Sequence, residues 1–353
     1  MARTRAIRQK IVNELLYEIG KTWFSGDFNV SAFADSHSLS RQSIYRYLSA
    51  LEFENKVKKP QGKDGYRLVD SNFRFSYQLA GLQEGIVWSK DIAPLLVDMP
   101  ETAFRSCTYV FCEMLNNAID HSEGKEVEIF VSLNAFSVSF HIVDDGVGIF
   151  GKIASAMNFE DKRHSILELA KGKFTTDPES HSGEGIFFSA KASDIFLIYS
   201  DDIVFSSVNF GDVEHDRIHD YKKPRQNGTT VSFVVFRDHS VTTKELFDHY
   251  TEEPDHYGFT KTIVPVRMLE YGEHRPVFVS RSQAKRLLAR FENFERIELD
   301  FSGIDEIGQG FADEVFRVFT NQHPSSHIVA INCNQPVKRM IDHVKEKTQS
   351  HTG

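Results

Sequence analysis

Glu113, Asn117 and Asp120 stand four and three residues apart in Glu113-Met-Leu-Asn-Asn117-Ala-Ile-Asp120-His121. On an α-helix, which turns ~100° per residue, all three fall within about 60° of one another. Cys107, Phe111, Met114 and Ala118 centre roughly 140° away and form the face that a core would bury. A carboxylate and a neutral amide therefore point together into a cleft. The carboxylate is placed to orient or deprotonate a nucleophile. The amide oxygen suits magnesium, which takes oxygen ligands together with water and phosphate. Taken alone, the spacing is common on any solvated helix face.

Three further segments follow in order. Asp144-Asp-Gly146-Val-Gly148-Ile149 comes after a strand expected over Phe136–Val143. Its glycines let backbone approach a flat ring closely, and an Asp carboxylate accepts from an exocyclic amine. Gly183-Glu-Gly185 opens a helix expected over Ile186–Ala192, whose N-terminal amides favour phosphate. Asn227-Gly228-Thr229-Thr230 precedes a strand, so Thr229 offers a hydroxyl and an amide to phosphate. Each is weak alone: an Asp-Gly turn, a loop end and a plain turn are their ordinary readings. The polar stretch between, about Gly151 to Ser182, has the length of a lid, and Lys171, Lys173 and Thr175 fall inside it either as phosphate contacts or as solvated charges.

In this order the four segments resemble the ATP-binding boxes of the GHKL superfamily, which includes gyrase, the large heat-shock chaperones, histidine kinases and mismatch-repair ATPases. The resemblance covers about residues 100–236. It implies an α/β sandwich, a mixed sheet with helices on one face, over 104–240 with the lid at about 151–182. It implies ATP and Mg2+ as cofactors. By position, Glu113 matches the general base and Asn117 the magnesium ligand. Asp144 matches the adenine reader, with Gly146 and Gly148 shaping its turn. Gly183 and Gly185 match the phosphate loop at the lid's end, and Thr229 the Thr of the last box. Gly185-Ile-Phe-Phe-Ser-Ala looks closer to the chaperone branch than to sensor kinases. His164 and His181 do not match the phosphoacceptor His that sensor kinases carry before the ATP domain.

Elements on either side must position this site. Residues 1–70 hold twelve Lys and Arg against eight Asp and Glu, a basic end on a chain of net charge -9. Ile7, Ile11, Leu15 and Ile19 repeat at helical spacing, and a second short helix starts between Phe28 and Ala34. Ser40 is a good N-cap for a third helix. Ile44, Leu48 and Leu51 face inward there, which leaves Arg41, Gln42, Ser43, Tyr45 and Arg46 outside. Lys56 to Val69 reads as strand, Gly-rich turn and strand. Helices closed by a basic hairpin resemble a winged helix-turn-helix. That resemblance implies duplex DNA as a partner, with Arg41, Gln42, Ser43, Tyr45 and Arg46 as DNA-binding residues and Lys58, Lys59 and Lys63 near phosphates. A winged helix used only for protein contacts is the alternative.

Residues 71–103, broken by Pro94 and Pro100, read as a connector anchored by Trp88. Beyond a variable stretch around 240–260, strand and helix alternate: Val277–Val279, Ser282–Phe291, Ile297–Phe301, Phe311–Phe319, His327–Cys333 and a last helix opened by Pro336. The run Leu299-Asp-Phe-Ser302-Gly-Ile-Asp305-Glu-Ile-Gly-Gln309-Gly-Phe-Ala-Asp313-Glu resembles a STAS-like domain, placed at 262–350. In phosphorylated members a Ser stands near the Gln309 position, so the resemblance does not carry a phosphoswitch here. Asp300, Asp305 and Asp313 fall on different elements, which favours capping or solvation over metal binding.

The expected architecture is an α/β multidomain chain: winged helix, GHKL-type core, small STAS-like α/β domain. Apolar residues at 41% and thirty Phe exclude a disordered chain. No apolar run approaches the ~20 residues of a membrane helix, so no membrane partner is expected. Three Cys without a Cys-x-x-Cys pair fit a reducing cytoplasm, and no signal-peptide core opens the chain. The functional expectation is a cytoplasmic ATP-dependent regulatory switch with slow hydrolysis. Transfer to Ser/Thr of a partner, as in anti-sigma-like kinases, and ATP sensing without turnover are the alternatives. A protein partner for the STAS-like segment and a homodimer are both compatible with the sequence.

Overall fold

The computed structural model describes residues 2–25, 28–59, 65–173, 183–210, 213–220, 227–251, 259–269 and 278–349. The chain is α/β, and its described residues hold three sheets: a two-stranded ribbon, a seven-stranded sheet and a three-stranded sheet. No helix among the described residues is long and apolar enough to cross a membrane.

Helices α1 (Ala2–Ser25), α2 (Val30–Ser36) and α3 (Arg41–Phe53) form the N-terminal unit with strands β1 (Val57–Lys58) and β2 (Arg67–Leu68), which pair antiparallel. Ser40 caps α3 as expected, its side chain accepting from the Ser43 amide at 3.1 Å. Leu15, Ile19, Phe33, Ile44, Leu48, Leu51 and Val57 close a small core, whereas Ile7, the start of the expected stripe, is 55% exposed. The unit leans on the central sheet through α1. Tyr17 meets Phe136 edge-on at 5.3 Å, and a Cβ on Gly20 would lie only 2.4 Å from the Phe136 ring. Glycine there is what lets the helix come so close.

Residues 71–103 are not a connector. Ser71–Gln78 forms β3, an edge strand of the large sheet, paired along its full length with β4 (Glu126–Leu133). α4 (Glu84–Val87) and the helical turns through Leu96 then pack on the core, where Trp88 is buried against Phe104 and Phe111, as its anchoring role required. The large sheet runs β3-β4-β5-β9-β6-β7-β8, with β5 Ser137–Asp144, β6 Ile195–Ser200, β7 Ile203–Phe210, β8 Val213–Asp220 and β9 Thr229–Phe236. Every pairing in it is antiparallel, which corrects the expectation of a mixed sheet. α5 (Glu101–His121) lies on one face and buries Cys107, Val110, Phe111, Met114, Leu115 and Ala118. Phe111 rests on Phe140 of β5, and Phe140 stacks on Phe233 of β9 at 4.6 Å.

The expected lid is, in its described part, two packed helices. α6 (Ile149–Met157) and α7 (His164–Lys171) precede α8 (Gly185–Ala192). Ser165 to Lys171 are all buried. Thr175 and His181 lie outside the described residues.

After the large sheet comes α9 (Thr243–His249), entered through a capping box made by Thr242 and Glu245 and packed through Phe247 on Phe188 of α8. β10 (Lys261–Pro265), β11 (Arg296–Asp300) and β12 (His327–Ile331) pair parallel in that order. Helices connect them, as parallel strands demand: α10 (Arg281–Leu288), the run from α11 (Gln309–Asp313) through a wider-wound stretch to α12 (Thr320–Gln322), and, after β12, α13 (Gln335–Gln349). Of the strand expected at Val277–Val279, Val277 lies outside the described residues and Phe278 forms an isolated bridge to Ile307. The apolar cores of the large and the small sheet form one continuous cluster.

Candidate functional site

The ladder between β5 and β9 brings the ends of two loops together. Val143 pairs with Thr230, so Asp144 at the end of β5 faces the start of β9. The carboxylate is buried, and its Oδ1 accepts the Gly146 amide at 2.9 Å and the Thr229 amide at 3.1 Å. Thr229 Oγ1 in turn accepts from the Ile149 amide at 3.1 Å. Burial pushes the Asp144 carboxyl above its ordinary range, against the pull of those two amides.

Glycines make this knot possible. Gly228 has φ +95°, and a Cβ on it would sit 2.0 Å from the Asp144 carbonyl oxygen. A Cβ on Gly146 would sit 2.1 Å from the Ser122 carbonyl oxygen, where the chain leaves α5. Gly146 is thus required by backbone packing, not by approach to a ring, and it does not line the cleft. Gly148 does, with φ +83° at the cap of α6.

α5 forms one wall of the cleft and the β5–β9 end its floor. Glu113, Asn117, Asp144, Gly148, Gly183, Gly185 and Thr229 all line it. They come from four separate stretches of sequence. The cleft encloses about 1070 Å3 including its open mouth. Glu113 packs against the first turn of α8. A Cβ on Gly185 would lie 2.2 Å from Glu113 Oε2, so any larger residue there would push that carboxylate aside. The helix N-terminus favours negative charge there. Asn117 carries a buried amide nitrogen with no hydrogen-bond partner.

Several expectations change. Asp120 is exposed and does not line the cleft, whereas Asn116 and His121 do. Thr229 spends its amide on Asp144, so that amide is not offered to a phosphate. Lys171 is neither a phosphate contact nor a solvated charge. It is 1% exposed and donates to Glu168 Oε1 at 2.6 Å. Lys173 donates to the Asn293 carbonyl at 3.0 Å.

Lys152 was missed by sequence reasoning. It lines the cleft and donates to the His121 carbonyl and to Glu123, both at 2.8 Å. Its signal was present: Ile149, Lys152 and Ile153 share one face of a helix. Ile142, Ile153, Leu169, Ile186 and Val231 supply apolar lining.

On the N-terminal unit, Arg41, Gln42, Tyr45 and Arg46 are exposed along α3, and Ser43 is half-buried with its hydroxyl 2.9 Å from that of Ser40. Lys58 and Lys59 are exposed, and Lys63 lies outside the described residues. In the C-terminal unit, Asp300 accepts from the Ser302 amide and from Asn332, and Asp313 pairs with Arg281 and Arg317. No group of three or more His, Cys, Asp or Glu suited to a metal exists among the described residues. All three cysteines are free.

Residues 283–338 match the family model described as a STAS-like domain of unknown function (DUF4325). The C-terminal unit is therefore STAS-like over that span, and Gln309 opens its helix α11. No curated protein matches the chain.

Close approach and backbone sign can be separated at two glycines. Gly81 has φ +74° with nothing within 4 Å of a Cβ, whereas Gly228 has both a positive φ and the clash. Gly81→Ala is expected to cost about 1 kcal/mol and Gly228→Ala on the order of 3 kcal/mol or more in urea unfolding. Equal losses would mean that the contact between Gly228 and Asp144 contributes nothing.

Proposed function

We propose that the cleft binds ATP with magnesium in the manner of the GHKL ATPases, and that the chain is an ATP-dependent regulatory switch. The observation that carries this reading is the convergence of seven residues, chosen from four separate motifs, on one cleft. The donor set suits the ligand. The Asn117 amide nitrogen is buried without a partner, and amide nitrogen and oxygen are interchangeable by a half-turn of the side chain. Turned over, Asn117 presents an oxygen to magnesium. Magnesium, when bound, neutralises charge on the phosphates and orients them.

The roles of the chain's own residues follow from position. Asp144 keeps Oδ1 on two amides and has Oδ2 for an amine in the plane of the base. Ile142, Ile153 and Val231 give the apolar surfaces that a purine ring needs. Gly183 and Gly185 bring the N-terminal amides of α8 to the phosphate end. Glu113, against that same turn, is the group that accepts a proton from the attacking nucleophile. Lys152 adds a positive charge on the α6 side. Slow hydrolysis then resets the switch.

For the N-terminal unit the proposal is a winged helix that binds duplex DNA. Its support is the exposed row Arg41, Gln42, Tyr45 and Arg46 on a capped helix beside an antiparallel ribbon that carries Lys58 and Lys59. For the STAS-like unit the proposal is a protein partner.

Asn117→Ala should weaken magnesium-ATP binding with an unchanged circular dichroism spectrum. Glu113→Ala should keep ATP bound and slow its turnover by ~100- to 10,000-fold. Unchanged affinity in Asn117→Ala by calorimetry sinks the site. If wild-type protein binds ATP but releases no phosphate, alone or with partners, hydrolysis is wrong and sensing stands. Label on a partner's Ser or Thr moves the reading to a kinase.

Asp144 accepts from adenine's amine best when ionised, and its pKa is raised by burial. Preference for ATP over GTP should therefore fall as pH is lowered, beginning above the range where an exposed Asp titrates. The ratio of the two affinities cancels protonation of the phosphates. Asp144→Asn should remove most of the preference and its pH dependence, a loss on the order of 1–3 kcal/mol. A pH-independent preference in wild-type protein would assign base recognition elsewhere.

Residues 1–70 as a fragment, and the full chain loaded with ATP, should bind duplex DNA with affinity that falls as salt rises. Each phosphate contact contributes about -0.9 to the slope of log affinity against log salt. Arg41→Ala with Arg46→Ala should weaken binding in fluorescence anisotropy. No binding at low salt by either form makes the unit a protein-contact module.

A further inference from the structure

α7 is a short cleft element that buries polar side chains together with apolar ones: Ser165, Glu168 and Lys171 are inside with Ile166, Leu167, Leu169 and Ala170. One residue, Leu169, lines the cleft. Ser165 donates to the Phe150 carbonyl of α6 at 2.9 Å, while the C-terminal end of the helix is held by the C-terminal unit.

The contacts concentrate at the C-terminal end of α10. Lys171 Nζ donates to the Ala289 carbonyl at 2.8 Å and the Arg286 carbonyl at 3.4 Å. These belong to the last turn of that helix, where carbonyls lack helical partners and a cation is favoured. The same amine donates to Glu168, whose other oxygen meets Arg290 at 3.4 Å. Arg290 also donates to the Lys173 carbonyl. Thr262 on β10 donates to the Lys171 carbonyl at 2.8 Å.

The backbone at this junction is strained on both sides. Arg290 has φ +66° and Lys173 φ +54°, a region that side chains with a Cβ rarely adopt. Such residues persist where surrounding contacts over-determine them. Gly172 between has φ +81°, and a Cβ there would fall 2.4 Å from Phe259. Phe259 in turn packs on Phe187 and Phe188 of α8, the helix whose first residue lines the cleft. Two cleft walls, α7 and α8, are therefore backed by the same C-terminal block.

We propose that Arg290 and the Lys171–Glu168 pair form a latch through which the STAS-like unit pre-positions the nucleotide cleft, so that docking of this unit and nucleotide binding strengthen one another. The latch rests on the ATP reading given above. Its physical content is preorganisation: a wall already ordered by the latch need not be ordered by the ligand. Reciprocity follows from linkage, because any increase in nucleotide affinity given by docking is returned as tighter docking when nucleotide is bound. A partner that pulls on the STAS-like unit would then lower nucleotide affinity without touching the cleft. Arg290 and Lys171 are positioning residues, since neither lines the cleft.

Arg290→Gly is the discriminating variant. Glycine accepts φ +66° without strain, so the turn is kept while the guanidinium is removed. Glu168→Gln with Lys171→Met is the second, removing both buried charges together. In the full-length protein, binding of a fluorescent ATP analogue with magnesium should weaken about tenfold in each, within the range of ordinary coupling. Hydrogen exchange should report the reciprocal effect: ATP slows exchange over Arg281–Leu288 in wild-type protein and not in Arg290→Gly. A purely structural role for Arg290 would not make α10 respond to a ligand it does not touch. Wild-type binding with equal or tighter binding in both variants overturns the latch and leaves the cleft reading intact. Absence of binding in wild-type protein overturns both.

Discussion

One carboxylate oxygen, Asp144 Oδ1, holds the candidate site together. It receives the amides of Gly146 and Thr229, which lie 83 residues apart in sequence at the ends of two central strands. The bonds fix the turn after β5 against the entry to β9. The turn fixes the cap of α6, and Thr229 continues the chain of bonds to Ile149. The cost of burying a charge is met by amides that would otherwise lack partners, which is how a buried acid stays useful. Gly228 and Gly146 exist for this knot: both allow backbone to approach within a distance that any Cβ would forbid.

What was legible in the sequence was local. The α5 faces could be read because a 3.6-residue period separates Glu113 and Asn117 from Cys107, Phe111 and Met114, and the buried set is the expected one. The cap at Ser40 and the turn at Asn227-Gly228 are short-range signals of the same kind. The strands that went unread in the large sheet are its two edges, β3 and β8. Edge strands carry charge and polarity that discourage pairing with other chains, and that is also what hides them. Val213 to Asp220 includes four charged residues, Glu214, Asp216, Arg217 and Asp220, and only two apolar ones, Val213 and Ile218. In β3 the alternation of Phe73, Phe75 and Tyr77 is a strand signal that the reading of 71–103 as a connector did not use. Thr242 and Glu245 spelled a capping box within a stretch read as variable.

The lid was misread for a different reason. Lys171-Gly-Lys173 looks solvated because composition cannot show an ion pair. Burial of Lys171 depends on Glu168 one turn earlier and on carbonyls more than a hundred residues away. Burial pulls the lysine's pKa down, and Glu168 opposes that pull. Removing only one member of such a pair typically costs ~3–5 kcal/mol, whereas removing both together is often neutral. The pair is therefore weak evidence for stability and better evidence for a specified arrangement of α7 on α10.

That distinction bears on how the chain works as a whole. A single apolar cluster joins the large and small sheets, so burial alone would hold the C-terminal unit in place. Hydrophobic contact is non-directional and tolerates sliding. The junction instead adds directional bonds at a helix end, two residues of positive φ and a glycine that accepts a phenylalanine edge. These features penalise small displacements of α7 and do little for total stability. A displacement of α7 moves Leu169, and with it the wall of the cleft. Sensitivity of the cleft to the C-terminal unit thus follows from where the directional contacts were placed, not from how much surface the two sheets bury.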